Sequence, residues 1–241
     1  MPAGALERAV ELLGRLGDTG PELTVAELAA DAGMPTSTAY RLLAELEQYG
    51  LVQRSSSRTV ALGTRLVALG RTAEAGLRER LVAPAEAVMA RLSERTGETV
   101  LLTTPCGHEG IVLHAVEGRH SVRLSYPLLQ RAPMHRGASG KVMAAYLDDC
   151  ERARLLRYAG DPGLGRELER IRADGFVVTR GELDEGAGAV AAPVLDRRER
   201  LIAGLSLAGP EERIVAALSD LVGDVLEAAA EVRAAYLAAA G

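Results

Sequence analysis

Several residue types are scarce in this chain of 241 residues, and their scarcity narrows the classes of protein to which it can belong. With no tryptophan and one phenylalanine, the core must be built from aliphatic side chains. The two cysteines, Cys106 and Cys150, are far apart and lack a CxxC spacing, which argues against a disulfide framework. Metal-like pairing is also missing among the four histidines, His108, His114, His120 and His135. We therefore expect no metal and no other cofactor.

Excess positive charge and long apolar runs are missing as well. The net charge is −5, so bulk electrostatics do not favour nucleic acid, and any such binding must come from a local surface. The alanine-rich C-terminal stretch carries Asp, Glu and Arg throughout, which excludes a membrane span there. A basic and then apolar leader is absent from the N-terminus. We expect a cytoplasmic protein without a membrane partner.

Residues 1–63 carry the signals of three helices followed by a hairpin. A first helix with one apolar face is indicated by residues at three- and four-residue steps, namely Leu6, Val10, Leu13, and Leu16 or Gly17. Thr24 and Glu27 form a capping box at the start of a second helix, which Gly33 ends. A third helix runs from 35 to 49. Two β-prone runs, 51–54 and 59–62, then predict a hairpin.

The third helix begins with the sequence MPTSTAYRLLAEL, which separates into two faces. Ala39, Leu42, Leu43 and Leu46 fall on the side that must pack inward. The other side is small and hydroxylated, with no carboxylate between Pro35 and Ala44. Such a helix start can approach a phosphate, and a long guanidinium can reach a guanine edge. The expected DNA-binding residues are Thr36, Ser37, Thr38, Tyr40 and Arg41, with Arg54 and Arg58 on the hairpin as a wing.

Charge does not favour this helix-turn-helix interpretation, because residues 1–63 hold five arginines against eight acidic residues. The acids lie mainly on the first two helices and late in the third. A dimer would still present two copies each of Arg41, Arg54 and Arg58 in one plane. Neutralising several phosphates in this way gives measurable but strongly salt-dependent affinity.

Helical and strand-like patterns alternate after residue 63. We interpret 64–80 as a linker helix and 81–241 as a second domain that begins with a helix at 84–96. Strands are expected at 99–104, 110–116, 122–126, 176–179, 187–195 and 201–207. Further helices are expected at 139–147, 149–158, 166–174 and 210–239. Helices at the start, middle and end of such a set of strands predict an α+β fold around an antiparallel sheet.

The chain also carries a series of longer segments in a recognisable order. These are ALERAVELL, LTVAELAADAGMPTSTAYRLLAELEQYGLV and a wing ending in ALG, then SYPLLQRAPMHRGASGKVMAAYL, IRADGFVVTRGELDEGAGAVAAPVLD and LIAGLSLAGP. With them the chain resembles the IclR family of bacterial transcriptional regulators over essentially its whole length. The resemblance implies a winged helix-turn-helix domain, a linker helix and a GAF- or profilin-like domain for effector binding and oligomerisation. It also implies a homodimer or dimer of dimers on a pseudo-palindromic double-stranded DNA operator, with repression as the expected sign.

The resemblance implies an effector site for a small organic acid or aromatic metabolite. The matching positions are Ala138, Ser139, Thr179, Ala189, Ser206 and Ala208. Members that bind small oxo-acids have an acid, a cysteine and a second serine where this chain has Thr179, Ala189 and Ala208. The departures predict a larger or more apolar effector than glyoxylate or pyruvate, or a degenerate pocket. Alternatively, Ser139 only caps its helix and Ser206 is a satisfied core hydroxyl.

Two other functions stay open on the sequence. One is an enzyme, but no paired acid and base, metal triad or activated cysteine is present, so the chain is not expected to be one. The other is a protein-interaction adaptor whose winged domain only dimerises. A phosphate-loop interpretation of the segment before Lys141 fails at His135 and Val142. We therefore expect Lys141 at an interface or in solvent.

Overall fold

The computed structural model describes residues 4–19, 23–54 and 59–239. Contacts divide the chain into two units, Met1–Gly76 and Leu77–Gly241, which we describe one at a time. The predicted domain limits of 1–63, 64–80 and 81–241 stay predictions. None of the described helices combines the length and the apolar character that crossing a bilayer would take.

The first unit contains the predicted helices and hairpin. Its helices are α1 Ala5–Thr19, α2 Val25–Asp31 and α3 Thr36–Gln48, and its strands are β1 Leu23–Thr24, β2 Val52–Arg54 and β3 Thr59–Leu62. The hairpin of β2 and β3 is antiparallel, as predicted. The two-residue β1, which was not predicted, adds a third strand beside β3. Arg58 lies outside the described residues.

Leucines from all three helices form the core of this unit, together with Val52 and Val60 of the hairpin. The capping box of α2 is confirmed, since Thr24 accepts from the Glu27 N–H and Glu27 accepts from the Thr24 N–H. The predicted face of α1 is half right, since Leu16 is buried and Leu13 packs partly buried against the core, but Leu6 and Val10 do not pack inward. Leu12 and Leu16 are the buried residues, whereas Leu6 and Val10 are 79% and 59% exposed. The helix has two apolar stripes, and only one of them faces its own domain.

Residues 65–96 are helical throughout, in three pieces. They are α4 Arg65–Leu77, a π-helical turn at Arg78–Val82, and α5 Ala83–Thr96. At the turn, the Ala83 N–H donates to the Arg78 carbonyl, five residues back. Pro84 therefore sits in the first turn of α5, where its missing N–H leaves no bond unmade.

The second unit is built on a six-stranded antiparallel sheet in the order β6-β5-β4-β9-β8-β7. The strands are β4 Thr99–Cys106, β5 Glu109–Val116, β6 Arg131–Pro133, β7 Val177–Arg180, β8 Ala187–Leu195 and β9 Leu201–Pro210. The helices that follow α5 are α6 Ala138–Tyr146, α7 Asp149–Ala159, α8 Leu164–Asp174, α9 Glu211–Ala216 and α10 Leu218–Ala239. One face of the sheet packs on α5 and α10. The other face packs on α6, which in turn packs on α8.

Two secondary-structure predictions for this unit are wrong. The run 122–126 is not a strand, because side chains hold its backbone: Arg213 donates to the Val122 carbonyl and Thr99 to the Leu124 carbonyl. The sixth strand is instead β6. The closing helix expected at 210–239 is broken at Ala217, whose N–H donates to the Arg213 and Val215 carbonyls at the end of α9.

Candidate nucleic-acid interface and ligand cavity

The predicted orientation of α3 is confirmed. Its buried residues are Ala39, Leu42, Leu43 and Leu46, the four that the periodicity placed inward. On the outer side, Thr36, Ser37, Tyr40 and Arg41 are exposed and Thr38 is half-buried. The roles of these residues in DNA binding stay predictions.

The N-terminus of α3 is open in a way that the start of α2 is not. Pro35 stands at the cap position and offers the first turn no side-chain hydrogen bond, and the first turn contains no acidic residue. By contrast, Thr24 and Glu27 cap α2 on both sides. The first N–H groups of α3 and its positive dipole end are therefore available to an anion.

Both described arginines of this surface are ion-paired within the chain, which the sequence did not reveal. Arg41 Nη1 lies 2.9 Å from Glu45 Oε1, and Arg54 Nε lies 3.0 Å from Glu47 Oε2. More than a third of each of these side chains is exposed. Exposed pairs of this kind contribute about 0–1 kcal/mol, so a phosphate or a base can replace the carboxylate at low cost.

The second candidate site is a cavity of about 220 Å³ between the sheet and the start of α6, here called the α6 cavity. All six residues proposed from the family resemblance line it: Ala138, Ser139, Thr179, Ala189, Ser206 and Ala208. The sheet register explains their meeting, because Thr179 pairs with Ala189, and Ala189 pairs with Ala208 across three strands. Whether they bind a ligand stays a prediction.

The start of α6 is shaped by Gly137 and by the loop between β7 and β8. Gly137 has φ 71°, and a Cβ there would lie 2.4 Å from Leu183 Cδ1, so only glycine fits. Its N–H donates to Glu182 Oε2 at 2.9 Å. Ser139 does not cap the helix; its hydroxyl lies 2.7 Å from that of Ser206, which is fully buried. This pair of hydroxyls ties α6 to β9 at the cavity wall.

The expectation for Lys141 is wrong. Its Nζ is 2.8 Å from Glu167 Oε1 and 2.7 Å from Glu182 Oε1, and the side chain is 10% exposed. Burial acts to lower the pKa of Lys141, but hydrogen bonds to Glu167 and Glu182 and the charges of these two acids outweigh burial and raise the pKa. The lysine therefore stays charged and holds the β7–β8 loop against α6 and α8.

We expect the substitution Lys141→Met to lower the free energy of unfolding by about 1–3 kcal/mol, because it leaves two carboxylates facing each other. The cost is moderated since Glu167 and Glu182 are 31% and 28% exposed. Chemical denaturation measures the change. The control Arg154→Met removes an exposed cation of α7 and should shift the free energy by less than about 0.5 kcal/mol. Equal effects of the two substitutions would contradict the role given to Lys141.

Residues that the sequence did not suggest also line the α6 cavity, notably Thr103, Tyr126 and Asp184. The Tyr126 hydroxyl donates to Asp184 Oδ2 at 3.1 Å, and burial together with this carboxylate raises the pKa of Tyr126 well above its ordinary value. The sequence did not suggest Tyr126 as a cavity residue because it falls in the run 122–126, which was wrongly predicted to be a strand. The alternation of Leu101 and Thr103 along β4 could have signalled that both face the same side.

Comparisons with known proteins cover nearly the whole chain. Residues 77–234 match the family described as bacterial transcriptional regulator IclR C-terminal, and residues 5–56 match the IclR helix-turn-helix domain. The HTH-type transcriptional regulator BhcR of Paracoccus denitrificans is 31% identical over 240 residues, covering 95% of this chain and 85% of that protein. The transcriptional repressor IclR of Escherichia coli is 29% identical, covering 96% of this chain and 89% of the relative.

A solved structure from Silicibacter sp. TM1040 has the same fold. It superposes with a TM-score of 0.79 at 23% identity, over 97% of this chain and 96% of that one. The fold is therefore an N-terminal helix-turn-helix domain followed by an α+β domain with a curled antiparallel sheet.

Proposed function

Because the chain belongs to the IclR family of bacterial transcriptional regulators, we propose that it binds an operator through α3 and responds to a small molecule in the α6 cavity. The observation that carries the first half is the start of α3, which is exposed, uncapped and free of carboxylates. Its hydroxyls and N–H groups suit phosphates, and Arg41 suits a base edge in the major groove. The β2–β3 hairpin, with Arg54, acts as the wing.

A second copy of the chain is the expected partner on DNA. Two helices of the first unit expose large apolar side chains: α1 exposes Leu6 and Val10, and α4 exposes Val67 and Leu69. Burying them against a second copy removes apolar area from water, which stabilises a dimer. A twofold dimer presents two copies of α3 and suits a pseudo-palindromic operator. Two such dimers can assemble further into a tetramer.

The α6 cavity is the proposed effector site. Its lining is more apolar than polar, and it combines small apolar residues with several hydroxyls and the charged side chains of Arg131, Glu182 and Asp184. An apolar cavity with a few polar groups is the usual character of a small-molecule site. Effector binding there changes operator affinity by a coupling free energy that is typically about 1–3 kcal/mol. Repression is the proposed sign of regulation, since the Escherichia coli relative is named a repressor. The regulator acts in the cytoplasm, where the bacterial chromosome lies.

The test is binding of the full-length protein to DNA from the upstream region of its own gene, measured by gel shift or fluorescence anisotropy. We expect Arg41→Ala to weaken specific binding by about 1–3 kcal/mol. The matched control is Arg15→Ala, which removes an arginine from a similar exposed pair on α1, with Glu11 at 2.9 Å. Equal affinity of the wild type and the Arg41 variant would refute the assignment of α3.

The adaptor alternative makes the opposite prediction for the same assay. If the first unit only dimerises, no DNA fragment from the upstream region should shift, even at low salt. A salt-dependent shift that competitor DNA does not remove favours the regulator. The enzyme alternative is set aside, because the family and the named relatives are transcriptional regulators.

A further inference from the structure

The second half of α3 carries two exposed carboxylates, Glu45 and Glu47, which are the acidic residues of this helix. Like charges repel, so a carboxylate close to DNA is unfavourable unless a cation or a hydrogen-bond donor binds it. The partner of each carboxylate therefore indicates what that residue does when α3 meets a duplex.

Glu47 has its partner in the hairpin. Its Oε2 lies 3.0 Å from Nε of Arg54, which belongs to β2 and follows seven residues later in the chain. The bond connects the end of α3 to the strand that follows the helix. Glu47 is thus neutralised by an arginine of another element, and this role does not require a contact with a base.

Glu45 differs, because its partner is Arg41, the residue that is expected to contact a base. Within the described part of the chain one hydrogen bond joins the two side chains, from Arg41 Nη1 to Glu45 Oε1 at 2.9 Å. The side chains are 60% and 56% exposed. The bond leaves Nε and Nη2 of Arg41 as donors and Oε2 of Glu45 as an acceptor. The pair therefore offers donors and an acceptor side by side on one exposed surface.

The spacing of the pair matches the spacing of stacked base pairs. Four residues of a helix rise by about 6 Å, and base pairs are stacked about 3.4 Å apart. In the major groove, guanine presents two acceptors that suit a guanidinium, and cytosine presents the N4 donor that suits a carboxylate. Adenine also presents a donor at N6, but the N7 acceptor beside it repels a carboxylate. A carboxylate one turn beyond an arginine therefore favours a cytosine close to a guanine.

We propose that Glu45 is a specificity-determining residue that accepts a hydrogen bond from the N4 amino group of a cytosine. This cytosine lies about one or two base pairs from the guanine that Arg41 contacts. Oε1 of Glu45 stays bonded to Arg41 and fixes the guanidinium, while Oε2 receives the cytosine donor. The inference rests on the proposed function, because it takes α3 to be the helix that enters the major groove.

The test is selection of bound sequences from a randomised duplex library by the full-length protein, followed by sequencing. The wild type should enrich a cytosine near a guanine in each half of its site. Glu45→Gln keeps the shape of the side chain but adds an amide donor, which suits adenine. This variant should lose the preference for cytosine, gain adenine at the same position and keep the guanine.

Titrations with the selected duplex quantify the contact. Replacing the cytosine pair should weaken the wild type by about tenfold, whereas Glu45→Ala should bind both duplexes with equal affinity. The matched control is Glu47→Gln, the same change of charge on the same helix at the carboxylate that Arg54 binds. This control should enrich the same sequence as the wild type. Circular dichroism checks that each variant keeps its helical content.

Three results would overturn the inference. They are an enriched site without a cytosine within two base pairs of a guanine, an unchanged base preference in both Glu45 variants, and equal changes in the Glu45 and Glu47 variants. In each of these cases the protein still selects a sequence, so the proposed function stands. If the wild type enriches no sequence at all, the proposed function fails and the inference fails with it.

Discussion

Replacing Ser37 with glutamate should weaken operator binding by about 100-fold or more, because it places a carboxylate where the start of α3 is expected to meet a phosphate. Ser37 is exposed in the first turn of α3, which has no acidic residue of its own. A dimer would carry the added charge twice. Anisotropy titrations at fixed salt measure the loss, and the dependence of affinity on salt should also become shallower.

The fold should survive this substitution, which makes the result interpretable. Glutamate in the first turn of a helix interacts favourably with the dipole and stabilises it by about 0.3–1 kcal/mol. The matched control is Gln48→Glu, the same change of charge at the exposed last residue of α3. That control should keep nearly all of its operator affinity. Equal losses of operator affinity in both variants would indicate a general charge effect. That result would contradict the assignment of α3 to the DNA interface.

The second large effect is expected at Glu98, a residue that is 3% exposed and lies immediately before β4. Arg213 of α9 donates to both of its oxygens, at 2.5 and 2.8 Å, and also to the Val122 carbonyl. Glu98→Ala leaves this guanidinium without its buried partner. We expect the free energy of unfolding of the second unit to fall by about 3 kcal/mol.

Denaturation followed by circular dichroism tests this expectation, with Glu227→Gln as the control. Glu227 forms an exposed pair with Arg95 at 3.4 Å, and its loss should change stability by less than about 1 kcal/mol. Operator binding at temperatures where both proteins are folded should be unaltered by either change. A loss below about 1 kcal/mol for Glu98→Ala would mean that solvent replaces the carboxylate without cost.

Local patterns in the sequence were sufficient to predict the buried residues of an element where one of its surfaces is buried and the other is exposed. The leucine face of α3 and the capping box at Thr24 were predicted correctly because both depend on spacing alone. The apolar face of α1 was predicted correctly for Leu13 and Leu16 but not for Leu6 and Val10, because the helix has two apolar stripes and spacing does not say which one its own domain buries. The false strand at 122–126 looked β-prone, but long-range bonds from Arg213 and Thr99 set its backbone.

In the candidate sites, too, some features could be predicted from the sequence, whereas others depend on long-range contacts. The six cavity residues proposed from the family resemblance do meet in space, since neighbouring strands place Thr179, Ala189 and Ala208 in one row. Lys141 was misplaced because its burial depends on Glu167 and Glu182, which lie 26 and 41 residues away in the sequence. That the Thr103 hydroxyl finds no hydrogen-bond partner among the described residues likewise becomes visible only when its neighbours in space are known.

The Tyr126–Asp184 hydrogen bond joins segments that belong to opposite margins of the sheet, one before β6 and the other between β7 and β8. Five inter-strand spacings laid flat would separate those margins by about 24 Å. A link of 3.1 Å therefore requires the sheet to roll, the segments to bend inward, or both. The α6 cavity is thus enclosed by the course of the main chain. Shortening the side chains that line the α6 cavity would therefore enlarge the cavity without opening it further to solvent.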